Sequence, residues 1–448
     1  MSSLLITNAL VINENKQSEL DIFIEQGRIS KIGPDLSSLK ADKVIDAKGK
    51  IAMPGMIDDQ VHFREPGLTH KADMGTESRA AVAGGITSFM EMPNCNPLTI
   101  NNDALRNKRG LAATKSVANY GFYMGATNDN LEDIKRLDTS LACGIKVFMG
   151  ASTGNMLVDD KKVLEQIFQN SAILIATHCE DTPMILANEA EYREKYGDDV
   201  ALSMHPLIRS EAACYKSSSF AVELAKANDA RLHVLHITTE KELSLFTAGD
   251  ATKKRITAEA CVHHLYFNEA DYETLGALIK CNPAIKKASD QNAILDAVNS
   301  DIIDVIATDH APHTWDEKQE KYFKAPSGLP LVQDALLALF EHYHDGRMTL
   351  ETIVNKTSHT VADIFFVKDR GYIREGYWAD IVLVDIDKPH AGYQDSATPI
   401  LSKCKWTPFK DVKFRSSIYA TLVNGVLMYQ GGNLVNEVVA SPLEYVRD

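Results

Sequence analysis

Apolar and polar positions change rhythm twice along this chain of 448 residues. As far as Asp46, short β-rich runs (Leu4–Ile12, Leu20–Glu25, Arg28–Ile32, Lys43–Asp46) are separated by turn residues such as Gln26-Gly27 and Gly33-Pro34. The same rhythm returns in Ala379–Val384, Ser417–Val423 and Val426–Tyr429, the last two joined by the hairpin signal Asn424-Gly425. The two ends are therefore expected to form a small composite β domain from residues 1–52 and 367–448, with 53–366 inserted between them.

The middle alternates between strand and helix patterns. The strand candidates are Met56–His62, Thr87–Met92, Tyr120–Gly125, Gly144–Met149, Ala172–His178, Leu232–Ile237, Ile256–Ala260 and Ile303–Asp309. Between them the spacing predicts helices over Glu77–Ala83, which stops at Gly84-Gly85, Val163–Phe168, with Asp159 as N-cap, Ser210–Ala227, Glu240–Phe246 and Asp290–Val298. Alternation argues for a parallel α/β sheet, and eight repeats argue for closure as a (β/α)8 TIM barrel carrying a small β-sandwich at the joined ends. The alternative, an open doubly wound sheet, lacks its usual mark, because no Gly-x-Gly-x-x-Gly opens a helix after any of these strands.

Barrel chemistry sits at the C-terminal ends of the strands. Those ends read Gln60-Val61-His62, Glu91-Met92-Pro93-Asn94, Lys146 within Gly144–Phe148, Thr177-His178, His233-Val234-Leu235-His236 and Thr308-Asp309-His310-Ala311-Pro312-His313. One histidine at a strand end is usually structural; several on separate strands at one rim form a ligand set. Imidazole and carboxylate suit zinc, which lowers the pKa of its water to roughly 7 and polarises a carbonyl. Asp309 would pass the proton from that activated hydroxide to a leaving nitrogen. Lys146 lies in an apolar strand and fits beside a metal as a neutral amine or as the anionic carbamate formed with CO2.

Composition narrows the picture. A formal net charge of −14 disfavours nucleic acid or an anionic membrane as partner, so an anionic small-molecule substrate needs local cations. The seven cysteines are scattered, with no Cys-x-x-Cys, as in a reduced cytoplasmic protein without disulfides. The first residues lack a signal-peptide pattern, and no apolar run approaches the ~20 residues of a membrane span.

Three stretches are specific: Val61-His62-Phe63-Arg64-Glu65-Pro66-Gly67, Glu91-Met92-Pro93-Asn94, and Thr308-Asp309-His310-Ala311-Pro312-His313. From about Met53 to Phe365 the chain resembles the amidohydrolase superfamily, and within it the dihydroorotases. The resemblance implies His62 and Asp309 on a more buried metal, carboxylated Lys146 bridging two metals, and His178 and His236 on the second. It also implies Arg64 and Asn94 as the clamp for a substrate carboxylate, with Asn282 and His313 beside them. The implied reaction is the reversible cyclisation of N-carbamoyl-L-aspartate to L-dihydroorotate in pyrimidine synthesis. A homodimer or homotetramer is the expected assembly.

One position departs from the pattern. The family's first strand reads His-x-His, and Gln60 stands where the first histidine belongs. An amide oxygen is a much weaker zinc ligand than imidazole, so one or two ions are expected, with the buried one weakened, absent or of another kind. After strand 4 the small polar loop 151–156 suggests a substrate contact from Ser152 or Thr153, and Pro326-Ser327-Gly328 suggests backbone contacts to a ring near Gly328. His263 and His264 read as structural residues. Two other functions remain open: an allantoinase or hydantoinase, which needs no carboxylate clamp, and a non-catalytic barrel scaffolding a partner such as a transcarbamoylase.

Overall fold

The computed structural model describes residues 3–150, 156–393, 399–435 and 437–447. Both chain ends enter a single nine-stranded mixed sheet. In it Ile51–Pro54 lies between Leu4–Asn13 and Ile381–Asp385, so the strand leading into the barrel is itself the seam that joins the two ends. Ile6, Val11, Ile22 and Ile24 from the first end pack with Ile381, Leu383, Ala420 and Leu422 from the second in one buried cluster, the core of the sandwich.

The inserted region is the TIM barrel. Its strands are Met56–Val61, Ile86–Glu91, Asn119–Phe122 continuing as Met124–Gly125, Ile145–Phe148, Ile175–His178, Leu232–Val234, Ile256–Cys261 and Val305–Ala307, all paired in parallel. Strand 8 returns to strand 1 through His62 N–H donating to the His310 carbonyl at 2.7 Å, and through Thr308, whose N–H and hydroxyl both donate to the buried Asp58 carboxylate at 3.1 and 2.6 Å.

Most predicted helices form, with instructive differences. The helix after strand 4 spans Lys161–Asn170 and is capped by Asp160, not Asp159: the Asp160 carboxylate accepts from the N–H groups of Lys162 and Val163. Glu240–Phe246 is only a 3-10 turn, Lys241–Leu245. Three helices that the pattern did not announce, Asn102–Lys115, Thr182–Tyr196 and Ala335–His344, complete the outer ring. All seven cysteines are unpaired, and no described helix is long and apolar enough to cross a membrane.

One buried ion pair fixes the rim. Lys108, from the helix Asn102–Lys115, reaches 3.0 Å to Glu91 at the end of strand 2 and donates to the Met92 carbonyl at 3.0 Å, with both side chains almost wholly buried. Burial pushes Glu91 up to about 7 even with the ammonium beside it. Breaking such a pair strands a buried charge, so Lys108→Met should cost about 3–5 kcal/mol in a urea unfolding titration. Adding Glu91→Gln should recover part of that loss.

Candidate active site

The barrel mouth holds a small pocket lined by Gln60, His62, Arg64, Asn94, Lys146, His178, His236, Asn282, Asp309 and Gly328, joined by Phe148, Ala311 and Ser327. Strand ends that are far apart in the chain thus line one pocket. His313 does not line the pocket; it stands behind Arg64. Ser152 and Thr153 lie outside the described residues.

At the outer side His178 and His236 face each other, Nδ1 to Nε2, at 3.0 Å. Nε2 of His178 meets the buried Glu180 carboxylate at 3.0 Å, and Arg209 pairs with the same carboxylate. Burial works against the Glu180 charge, yet Arg209 and His178 hold it at about 2. An ionised Glu180 fixes the His178 proton on Nε2 and leaves Nδ1 as a lone pair, the carboxylate–histidine arrangement that orients metal ligands. Burial keeps His178 below the usual imidazole value and His236 well below it, so both are neutral donors. Lys146 is buried with its Nζ 4.6 Å from the Phe148 ring centre, and among the described residues no carboxylate lies within ion-pair distance. Burial lowers it to about 8, which gives the amine a neutral fraction near physiological pH. Two neutral imidazoles and a buried lysine with a neutral fraction fit a divalent cation of borderline softness.

The inner side is different. The Gln60 amide donates from Nε2 to Asp309 Oδ1 at 3.1 Å, while its oxygen is turned towards the Cys261 thiol at 3.7 Å. His62 Nε2 lies 3.2 Å from the same Asp309 oxygen, and its Nδ1 lies 2.8 Å from Asn94 Oδ1. Gln60 therefore brings an N–H where a second cation needs a lone pair. His62 and Asp309 alone are a thin donor set, and the residues fit a second ion poorly.

The far end is cationic. Arg64 is 6% exposed, donates from Nε to the Pro312 carbonyl at 3.1 Å and meets His313 Nε2 at 3.0 Å. No carboxylate lies within ion-pair distance of it among the described residues. Burial lowers its pKa to about 10, so it remains a cation at neutral pH. Lys71 contacts His313 Nδ1 and Glu317, each at 3.0 Å. Asn282 Oδ1 is buried without a partner. A Cβ at Gly328 would meet the Ala311 carbonyl at 2.4 Å, and its φ of +141° excludes most side chains, so only glycine lets this backbone line the pocket. Arg64, His236 and Asp309 all hold positive φ, at 67°, 41° and 50°, which sets the direction in which each leaves its strand end.

The sequence reading missed Glu180, Arg209 and Lys71. Glu180 carried a faint signal, a carboxylate two residues beyond a predicted ligand; Arg209 and Lys71 meet the site only through tertiary structure.

The sequence model of the amidohydrolase family matches residues 51–428. The chain belongs to the amidohydrolase family. Among curated amidohydrolases it is 33% identical to the dihydroorotase of Halobacterium salinarum over 418 residues, 92% of this chain and 93% of that one. It is 31% identical to the dihydroorotase of Methanosphaera stadtmanae over 436 residues, covering 97% and 98%. An allantoinase of Desulfitobacterium hafniense is 29% identical over 453 residues, 98% of each. The fold matches L-hydantoinase (dihydropyrimidinase) from Arthrobacter aurescens with a TM-score of 0.92 at 24% identity, over 99% of this chain and 100% of that one. At that identity the likeness speaks for the amidohydrolase fold alone.

Glu180→Gln removes the charge that fixes the His178 tautomer. It should weaken zinc binding in the pocket about 10–100-fold, measured by competition with a chromogenic chelator. Unchanged affinity would show that the carboxylate only braces Arg209.

Proposed function

We propose that this amidohydrolase is a dihydroorotase, which interconverts N-carbamoyl-L-aspartate and L-dihydroorotate. The observation that carries the reading is Arg64: a buried guanidinium at the pocket wall with no carboxylate within ion-pair distance among the described residues. Desolvating a cation without a counterion is costly, and a substrate carboxylate would compensate it by a charge-assisted bond. Hydantoin has no such group.

The ring then spans from Arg64 to Asp309. Asn282 Oδ1, unpartnered, is placed to accept a ring N–H, and the backbone at Ser327 and Gly328 lines the edge of the ring. Asp309 takes the proton of the attacking water and returns it to the amide nitrogen as the ring C–N bond breaks; in the reverse direction the same carboxylate moves the protons back. Both contacts from Gln60 and His62 fall on Oδ1, which leaves Oδ2 for the travelling proton. His178, His236 and Lys146, as its carbamate, would hold zinc, which when bound supplies a more acidic water and positive charge for the amide oxygen.

Steady-state assays with L-dihydroorotate, allantoin and hydantoin should show turnover of dihydroorotate. Turnover of either other ring with none of dihydroorotate overturns the proposal. Arg64→Met should lower kcat/KM for dihydroorotate at least about 30-fold, the effect of the ~2–5 kcal/mol lost when one partner of a buried charged hydrogen bond is truncated.

The donor sets also predict a difference in metal content. Gln60→His replaces the N–H donor by a ligand and should add a further ion per chain in elemental analysis. Unchanged content would mean that the amide already ligates or that the inner site is built from other residues.

A further inference from the structure

Beneath the pocket, one layer down the barrel, three side chains meet that the reaction does not use. They are Asp59 from strand 1, His233 from strand 6 and Glu259 from strand 7. All three are fully buried, and their ligand atoms lie within 4.8 Å of one another. His233 Nε2 is 3.3 Å from Asp59 Oδ2 and 3.6 Å from Glu259 Oε2. None of these atoms has a hydrogen-bond partner of acceptable geometry, and Asp59 Oδ1 has none either.

The direction of the imidazole is fixed from its other side. The Thr257 hydroxyl donates to the Leu232 carbonyl at 3.3 Å, so at 2.7 Å it accepts from His233 Nδ1. With the proton on Nδ1, Nε2 presents a lone pair to two carboxylates. Three sets of lone pairs pointing at one dry spot require a proton or a metal ion between them.

Two occupants fit that requirement, and the spacing separates them. A proton on Nε2 would draw the carboxylates in to about 2.7–2.9 Å, the length of charge-assisted N–H···O bonds. Metal–ligand bonds of about 2.0–2.2 Å hold neighbouring tetrahedral ligands about 3.3–3.5 Å apart. The observed 3.3 and 3.6 Å match the second.

We infer that Asp59, His233 and Glu259 form a second, structural metal site in the barrel floor, for a divalent cation that accepts mixed nitrogen and oxygen ligands, such as zinc. The site does not depend on the identity of the substrate. It touches the pocket from below, because Glu259 Oε1 accepts from the His236 backbone N–H at 3.0 Å and from the Cys261 thiol at 3.4 Å. An ion there would brace the strand that presents His236.

The test is crystallography of the full chain grown with zinc, with data collected on both sides of the zinc absorption edge. We expect an anomalous peak among Asp59, His233 and Glu259 in addition to one at His178 and His236. Asp59→Asn should abolish the floor peak and leave the other, with one ion fewer per chain in elemental analysis. A pocket peak with an empty floor, and His233 drawn in to hydrogen-bonding distance, would overturn the inference and identify a proton as the occupant. The wild-type map decides the matter even if Asp59→Asn does not fold. A floor peak without a pocket peak would leave this inference standing and count instead against the zinc ligands proposed for the pocket.

Discussion

Strand 8 meets strand 1 through a handful of buried polar contacts, and the site exists because they hold. Asp58 accepts from the Thr308 N–H and hydroxyl, Thr308 Oγ1 accepts from the His310 N–H at 2.9 Å, and His62 N–H donates to the His310 carbonyl. Burial pushes Asp58 well above the usual carboxylate range, so its bonds to Thr308 are made in a dry setting where they are strong and costly to lose. His62 and Asp309 belong to the two strands being joined. Their 3.2 Å separation is a direct consequence of the closure, and the other six strands then have to bring Lys146, His178 and His236 to the same rim.

Closure also carries the backbone strain. Arg64 is not a residue type that adopts positive φ readily, and such a conformation costs about 1–3 kcal/mol. Arg64 is held from beyond the seam by the Pro312 carbonyl and His313, and His236 by the bond of its N–H to Glu259. The polar groups under and behind the pocket therefore have a mechanical role: they fix the direction of ligands whose own backbone would otherwise relax.

How much of this was legible in the sequence follows from where each signal lies. The eight strands were readable because each is a short apolar run bounded by turn or helix signals, and the rim residues because they end those runs. Helices were harder. Thr182–Tyr196 buries only Ile185, so it offers no apolar face to detect, and Ala335–His344 is buried on nearly every side, which erases the polar half of the period. Ala172–His178 starts as a strand only at Ile175, since the preceding residues belong to the turn after a helix. In the site, contiguous motifs exposed His62, Arg64 and Asp309, whereas Arg209, Lys71 and the Asp59–His233–Glu259 cluster became visible only once distant loops and strands were brought together. Asp59 shows why: between Asp58 and Gln60 it reads as one more polar residue, and the register shift between Asp58 and Val61 is what sets its direction.

Gln60 and Asp59 are best understood together. Replacing an imidazole by an amide at position 60 removes a lone pair from the pocket and gives Asp309 a permanent N–H donor in its place. That donor holds Asp309 Oδ1 from the inner side of the pocket. The adjoining Asp59 lies a layer deeper, opposite Glu259 and His233. The Cys261 thiol lies between the two levels, in contact with Gln60 Oε1 above and Glu259 Oε1 below. The first strand thus sets an amide against Asp309 in the pocket and a carboxylate one layer lower, in the packed base of the barrel, where it meets the strands that hold the pocket in shape.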